Sequence, residues 1–191
     1  MSLHENVFVK SVAKVCSLAE RISRILCTPE LELDGNAYKG KYELDNGKSI
    51  KKFILDELRK VYTNQSTGNN IKVSRESAKE LLLHWKSDGE AFQKSIAHIP
   101  QIIESMQFLE EMSPDPNRVN PRFAKYSYYI TQAKIDGESY IILSTVGYKG
   151  HEIYYDQNVF KGIVQEVFAK AKNETKNPKY GRLNEILRGI K

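Results

Sequence analysis

Cysteine, histidine and tryptophan are scarce in this chain: its 191 residues hold two cysteines, four histidines and one tryptophan. Cys16 and Cys27 fall in one predicted helix, where they lie about 16 Å apart, beyond the reach of a disulfide. They read as small hydrophobes in a reducing compartment. No cysteine or histidine spacing fits a zinc finger or a zincin, and neither a glycine-rich phosphate loop nor a G-x-S-x-G elbow is present. The expectation is therefore no metal site and no cofactor. No apolar run approaches the roughly 18 residues of a membrane span. Lys10 and Lys14 interrupt what would be the apolar stretch of a secretory signal. A cytoplasmic protein with no membrane partner is expected.

Hydrophobic residues make up 40% of the chain and charged residues 28%, an ordinary globular balance. The length suffices for one domain with a sizeable core. The net charge of +5 is concentrated. From Lys161 to Lys191 there are eight basic residues and three acidic ones, a difference of five, so the rest of the chain is neutral. A basic end on a neutral body suits a polyanionic partner, and equally a solvated lysine-rich helix.

Phe8, Val12, Val15, Ala19, Ile22 and Leu26 recur at alternating four and three residues, which predicts a helix over 8–26 with a seam for the domain or for a partner. Glu30–Leu33 and Tyr38–Leu44 read as a short strand pair. Ser49 is placed to cap a helix through Tyr62, and Ser74 one to about Trp85. Ile71-Lys72-Val73 reads as a strand between them. Pro100 opens a helix expected to reach Glu111, with Ile102, Ile103, Met106 and Leu109 as its buried stripe. A polar loop with three prolines spans Ser113 to Arg122.

The C-terminal third is the clearest β region. Lys125–Ala133 and Ser139–Val146 alternate around Asp136-Gly137, a hairpin signal in which both turn residues take positive φ. That turn pairs Ile135 with Glu138 and sets Tyr129 opposite Ser144. A four-residue turn over Gly147–Gly150 would pair Val146 with His151 and Ile142 with Tyr155. One face then carries Lys125, Ser127, Tyr129, Thr131, Ser144, His151 and Tyr155, and the other Tyr126, Tyr128, Ile130, Ile141, Leu143, Thr145 and Tyr154. The second face is the one expected to pack on helices. A helix from Val159 to Lys172 and a short one from Leu183 close the chain.

The first face gathers the residue types that metal-independent RNA cleavage uses. A base takes the 2′-OH proton, an acid protonates the leaving oxygen, and a cation offsets phosphate charge. His98 and His151 are the candidates for proton transfer. Lys125 supplies charge, and Ser144 and Tyr155 place the substrate. Tyr129 offers a ring for base stacking, and Lys161, Lys170 and Lys172 offer contacts to nucleic acid. Taken singly, each tyrosine is also what a strand favours, and each histidine is more often structural; His84, at a helix end, suits the helix dipole.

The run Ile71-Lys72-Val73-Ser74, the stretch Ser77 to His84, Lys94-Ser95-Ile96-Ala97-His98-Ile99-Pro100, Tyr126-Ser127-Tyr128-Tyr129 and Tyr154-Tyr155-Asp156 together resemble a domain of large polyvalent proteins of phages and conjugative elements. That group is similar to the barnase–EndoU–colicin–RelE nuclease-like fold, in which N-terminal helices join an antiparallel sheet. The resemblance covers about Tyr38 to Phe168 and implies an α+β fold. It divides the chain into a helical extension, 1–29, and one nuclease-like domain, 30–191. It implies an endoribonuclease, or a toxin-like domain, that cleaves RNA by 2′-OH attack. The alternative is a non-catalytic protein- or nucleic-acid-binding module of a mobile element. Where the related pattern has histidine after Tyr-Tyr-Asp, this chain has Gln157, which argues against catalysis at that corner. RNA is the expected partner, with a protein or a second copy of the chain engaging the N-terminal helix.

Overall fold

A computed structural model describes residues 17–86, 88–114, 123–150 and 152–188. It is an α+β fold around a five-stranded mixed sheet. Helix α1 (Leu18–Leu26) leads to strand β1 (Leu31–Leu33). Helix α2 (Gly47–Phe53) runs into a π-helical turn (Ile54–Leu58), and a small hairpin follows from β2 (Val61–Thr63) and β3 (Asn70–Lys72). Next come α3 (Arg75–His84), α4 (Gly89–Ser95), a 3-10 turn (Ile96–His98), α5 (Ile99–Ser105) and β4 (Gln107–Met112). The long strands β5 (Lys125–Ile135), β6 (Glu138–Lys149) and β7 (Glu152–Lys161) precede α6 (Val164–Asn173) and α7 (Gly181–Arg188). Of the helix expected over 8–26, residues 8–16 fall outside the described residues, Cys16 among them, as do most of the proline-rich loop and His151. Among the described residues no helix is long and apolar enough to cross a membrane.

The β5–β6 hairpin forms as its turn dictates. Asp136 and Gly137 have φ of 54° and 80°, Ile135 pairs with Glu138, and Tyr129 lies opposite Ser144. The next register differs from expectation. Strand β6 continues through Gly147 to Lys149, so Val146 pairs with Tyr155 instead of His151. Gly147 belongs to the ladder because the ring of Tyr154 lies where its side chain would be. The slip is four residues, an even number, so the division of side chains between faces survives.

Several helices are shorter than their patterns suggest, because strand pairing claims their ends. Residues 107–112 leave the expected helix and pair antiparallel with Tyr126–Ile130, and Leu31–Leu33 pairs parallel with Ala133–Ile135 farther along the same edge of β5. Tyr38–Leu44 forms turns instead of a second strand. The side chain of Asn46, not Ser49, caps α2, and Val61–Thr63 passes into the small hairpin. Val159–Lys161 completes β7, which delays α6 to Val164. Ser74 caps α3 as its sequence indicates.

Both faces of the sheet are covered. Tyr129, Ile142, Val146, Tyr155 and Val159 pack against α2 to α5, and Ile130, Ile141, Leu143 and Phe160 against α1, α6 and α7. The expectation that helices cover the second face holds, but the first face is not open: it backs the larger core. Ser144, Tyr155 and Gln157 on that face are buried and bonded to one another. Ser144 Oγ lies 3.1 Å from the Tyr155 hydroxyl, which donates to Gln157 Oε1 at 2.7 Å. Gln157 Nε2 donates to Ser95 Oγ at 2.7 Å, and Ser95 donates to the Phe92 carbonyl. Removing the central hydroxyl with Tyr155→Phe strands the Gln157 oxygen, so a loss of about 1–3 kcal/mol is expected. A denaturant midpoint equal to that of the parent protein would show that the chain of bonds contributes nothing.

Candidate functional site

Of the residues that the sequence groups as one site, the structure brings Tyr129, Ser144 and Tyr155 together in the interior. Ser144 and Tyr155 have 0% exposure and bond to each other in the interior. Tyr129 is equally buried. Its hydroxyl accepts from Asn69 Nδ2 at 3.2 Å, its ring meets Phe108 edge-on, and burial pushes its pKa up to about 12. His98 joins the 3-10 turn to the loop after β1, with Nε2 2.8 Å from the Asp34 carbonyl and Nδ1 2.6 Å from Gln101 Oε1. Lys125 pairs with Glu111 at 2.7 Å beside the Tyr148 ring, four residues of strand from the Tyr129–Ser144 pair. Lys161 pairs with Glu138, while Lys170 and Lys172 are exposed on α6.

A different cluster forms on the second face. Tyr128, Thr145 and Asp156 lie in one row across β5, β6 and β7. Arg182, in the first turn of α7, donates through Nη1 to Asp156 Oδ2 at 3.0 Å and to Thr145 Oγ1 at 3.1 Å. From the other side, His84 Nε2 lies 3.7 Å from the same Asp156 oxygen. Helix α3 delivers His84 because it lies along the outer edge of β7, where the amide of Tyr155 donates to Ser77 Oγ at 2.9 Å. Ser77 and His84 are two helical turns apart and share that stripe. Asp156 is wholly buried, whereas the side chains of His84 and Arg182 are 29% and 36% exposed.

This arrangement sets the electrostatics. Burial raises the pKa of Asp156 above its usual 3.8, and Arg182 followed by His84 draws it only part of the way back. For Arg182, burial is the largest influence and opposes the guanidinium charge, but Asp156, Tyr154 and Tyr128 together outweigh it and leave the group above its ordinary value. Burial also raises Tyr128 and Tyr154, both of which feel Arg182. Their hydroxyls therefore stay protonated. The site thus combines a fixed carboxylate, a partly open cation, a partly open imidazole and tyrosine hydroxyls.

An aromatic row adjoins it on the same face, one side-chain repeat or about 7 Å along the strands. Tyr126, Gly147 and Tyr154 pair across the sheet. The Phe123 ring stacks on Tyr154 at 4.3 Å, and its centroid lies 5.7 Å from that of Tyr126 in an edge contact. Tyr126 in turn lies nearly parallel to Tyr128, with centroids 6.4 Å apart. Tyr126 is the half-buried member of the row, and Phe123 and Tyr154 are buried.

Sequence reasoning missed this constellation because its members come from three distant segments. The one local signal was the carboxylate of Asp156, set in a strand between Tyr155 and Gln157 and paired with the β-branched Thr145. Gln157, read as a missing histidine, points to the opposite face and belongs to the interior chain of bonds.

Removing Arg182 leaves the Asp156 carboxylate buried without its cation. Arg182→Ala is expected to cost roughly 3 kcal/mol of stability near neutral pH. The sign of the pH dependence follows from the raised Asp156 pKa. A folded state that holds its proton more tightly than the unfolded chain loses stability as pH rises from the usual 3.8 through the folded value. Without Arg182 that folded value rises further, so the deficit of the variant should shrink as pH falls from 8 toward 4. A deficit independent of pH in urea titrations would contradict this account of the pair.

Neither the curated proteins nor the solved structures include a match to this chain. Residues 41–155 match the family described as large polyvalent protein-associated domain 3. The match takes in His84, Tyr126, Tyr128, Thr145 and Tyr154 and stops one residue before Asp156, with Arg182 outside it. Spanning more than half of the sequence, it shows that the chain belongs to the large polyvalent protein-associated domain 3 family.

Proposed function

We propose that this domain is a metal-independent endoribonuclease whose site is the Asp156 corner. The observation that carries the reading is the buried Asp156 carboxylate held between Arg182 and His84 at a partly open edge. The resemblance to the nuclease-like fold supports it, as do the basic residues of the C-terminal segment that also carries Arg182. Lys170 and Lys172 end α6, Lys179 lies 5.6 Å from the Phe160 ring, and Arg182 follows three residues later.

In this reading the proton of the 2′-OH passes to His84. The 2′-oxygen attacks phosphorus and the bond to the 5′-oxygen breaks; water at the open edge protonates the leaving oxygen, and the hydroxide left takes the proton that His84 holds. A 2′,3′-cyclic phosphate and a 5′-OH result. Arg182 offsets the charge that develops on the phosphoryl oxygens, where a fixed cation in a partly dry site acts most strongly. Asp156 acts through the other two as a positioning residue, holding Arg182 and attracting the imidazolium. Lys170 and Lys172 guide the phosphate backbone, which makes binding salt-dependent. Compared with the site expected from sequence, this reading gives the proton-transfer role of His98 and His151 to His84 and the charge role of Lys125 to Arg182.

Incubation of the folded chain with single-stranded RNA in EDTA should give fragments ending in 2′,3′-cyclic phosphate. His84→Ala should slow cleavage by about 10²–10⁴-fold, and His98→Ala in a folded sample should leave it close to the parent rate. Intact RNA at high protein concentration would refute the reading. RNA retained without cleavage, with affinity falling steeply with salt, would leave a nucleic-acid-binding module in its place.

A further inference from the structure

We infer that the aromatic row beside Arg182 takes the flat face of an unpaired nucleobase, with Tyr126 as the stacking ring, so that single-stranded RNA is the substrate. The inference rests on RNA as the ligand of the Asp156 corner. Three observations carry it. Tyr126 is the half-buried ring of a row whose other rings are buried, so it is the member that presents surface to a ligand. Its orientation is fixed from two sides, by the edge contact with Phe123 and by the nearly parallel Tyr128. The row also lies directly beside the one containing Thr145 and Asp156, over which Arg182 reaches.

The chemistry selects the strand state. A base in a duplex has both faces covered by its neighbours and shows only its edges, whereas an unpaired base can lay its face on an aromatic ring. Every base has such a face, so stacking here tolerates sequence while requiring a single strand. Gly147 keeps the middle of the row low. A Cβ there would collide with the Tyr154 ring and displace it from its stack on Phe123. With a base on Tyr126, the phosphate joined to it falls toward Arg182 on the neighbouring row. Tyr126 is in this way a specificity-determining residue, and His84 and Arg182 remain the groups at the reacting phosphate.

The test separates binding from cleavage by using a 2′-O-methyl RNA oligonucleotide, which has no 2′-OH to attack. Its affinity is measured by fluorescence anisotropy as a single strand and annealed to its complement. The single strand should bind more tightly than the duplex. Tyr126→Ala should weaken single-strand binding by about 5- to 150-fold and leave duplex binding within about twofold, while Tyr126→Phe should match the parent. Tyr126→Trp provides a second reading: it should bind as well as the parent, with its added indole emission quenched by the single strand only. Equal affinity for the two forms, no binding of either, or a folded Tyr126→Ala variant that binds like the parent would overturn the inference. If 2′-OH RNA is cleaved but Tyr126→Ala binds normally, only this inference fails. If binding depends on Tyr126 but RNA is never cleaved, only the endoribonuclease reading fails.

Discussion

The pairing of β5 with β6 along their whole length is the constraint on which the rest of the molecule depends. The Asp136-Gly137 turn sets its register, and with it which side chains share a face. One face meets α2 to α5 and the other meets α1, α6 and α7, so the sheet is dry on both sides over most of its area. A polar side chain on these strands then costs free energy unless it finds a partner inside the protein or sits at an edge, and Thr131 Oγ1 is one that is buried without a partner. Ser144, Tyr155 and Gln157 meet the demand by bonding to one another. Asp156 meets it with Arg182 and His84 at an edge where those two partners still reach solvent.

This contrast decides what each polar cluster can do. The chain of bonds on the first face, Ser144, Tyr155 and Gln157, is wholly buried. The corner on the second face couples a buried charge to two partly exposed groups. A buried carboxylate is expensive unless it is paired, and here the pairing fixes the orientation of a guanidinium and places the carboxylate 3.7 Å from an imidazole nitrogen. The same residues that satisfy the carboxylate therefore hold a guanidinium and an imidazole at a partly open edge. The aromatic row beside it, with Gly147 at its centre, extends the site by about one side-chain repeat.

Much of the sheet was legible in the sequence, for physical reasons. Turn chemistry at Asp136-Gly137 is local, and alternation has a period of two, so the faces of β5 and β6 could be assigned without a structure. The four-residue slip at Gly147 left those faces intact because four is even. What could not be read was long-range. Gln107–Met112 has an amphipathic pattern that continues the preceding helix, and only its pairing with β5 makes it a strand. The first face reads as polar because of Ser127, Thr131, Ser144 and Gln157, yet helices cover it. The candidate site was harder still. His84 reads as a helix end, Arg182 as one of many C-terminal cations, and Asp156 as part of a motif apparently lacking its histidine. Their convergence depends on α3 and α7 approaching the sheet from different sides.

The account turns on where a nucleic acid touches this protein. Backbone amide shifts recorded while a single-stranded 2′-O-methyl oligonucleotide is titrated into the chain test it most directly. The account predicts changes concentrated at Tyr126, Thr145, Gly147, Asp156 and Arg182. Changes confined to His98, Gln101 and Asp34, or no changes at saturating concentration, would contradict it.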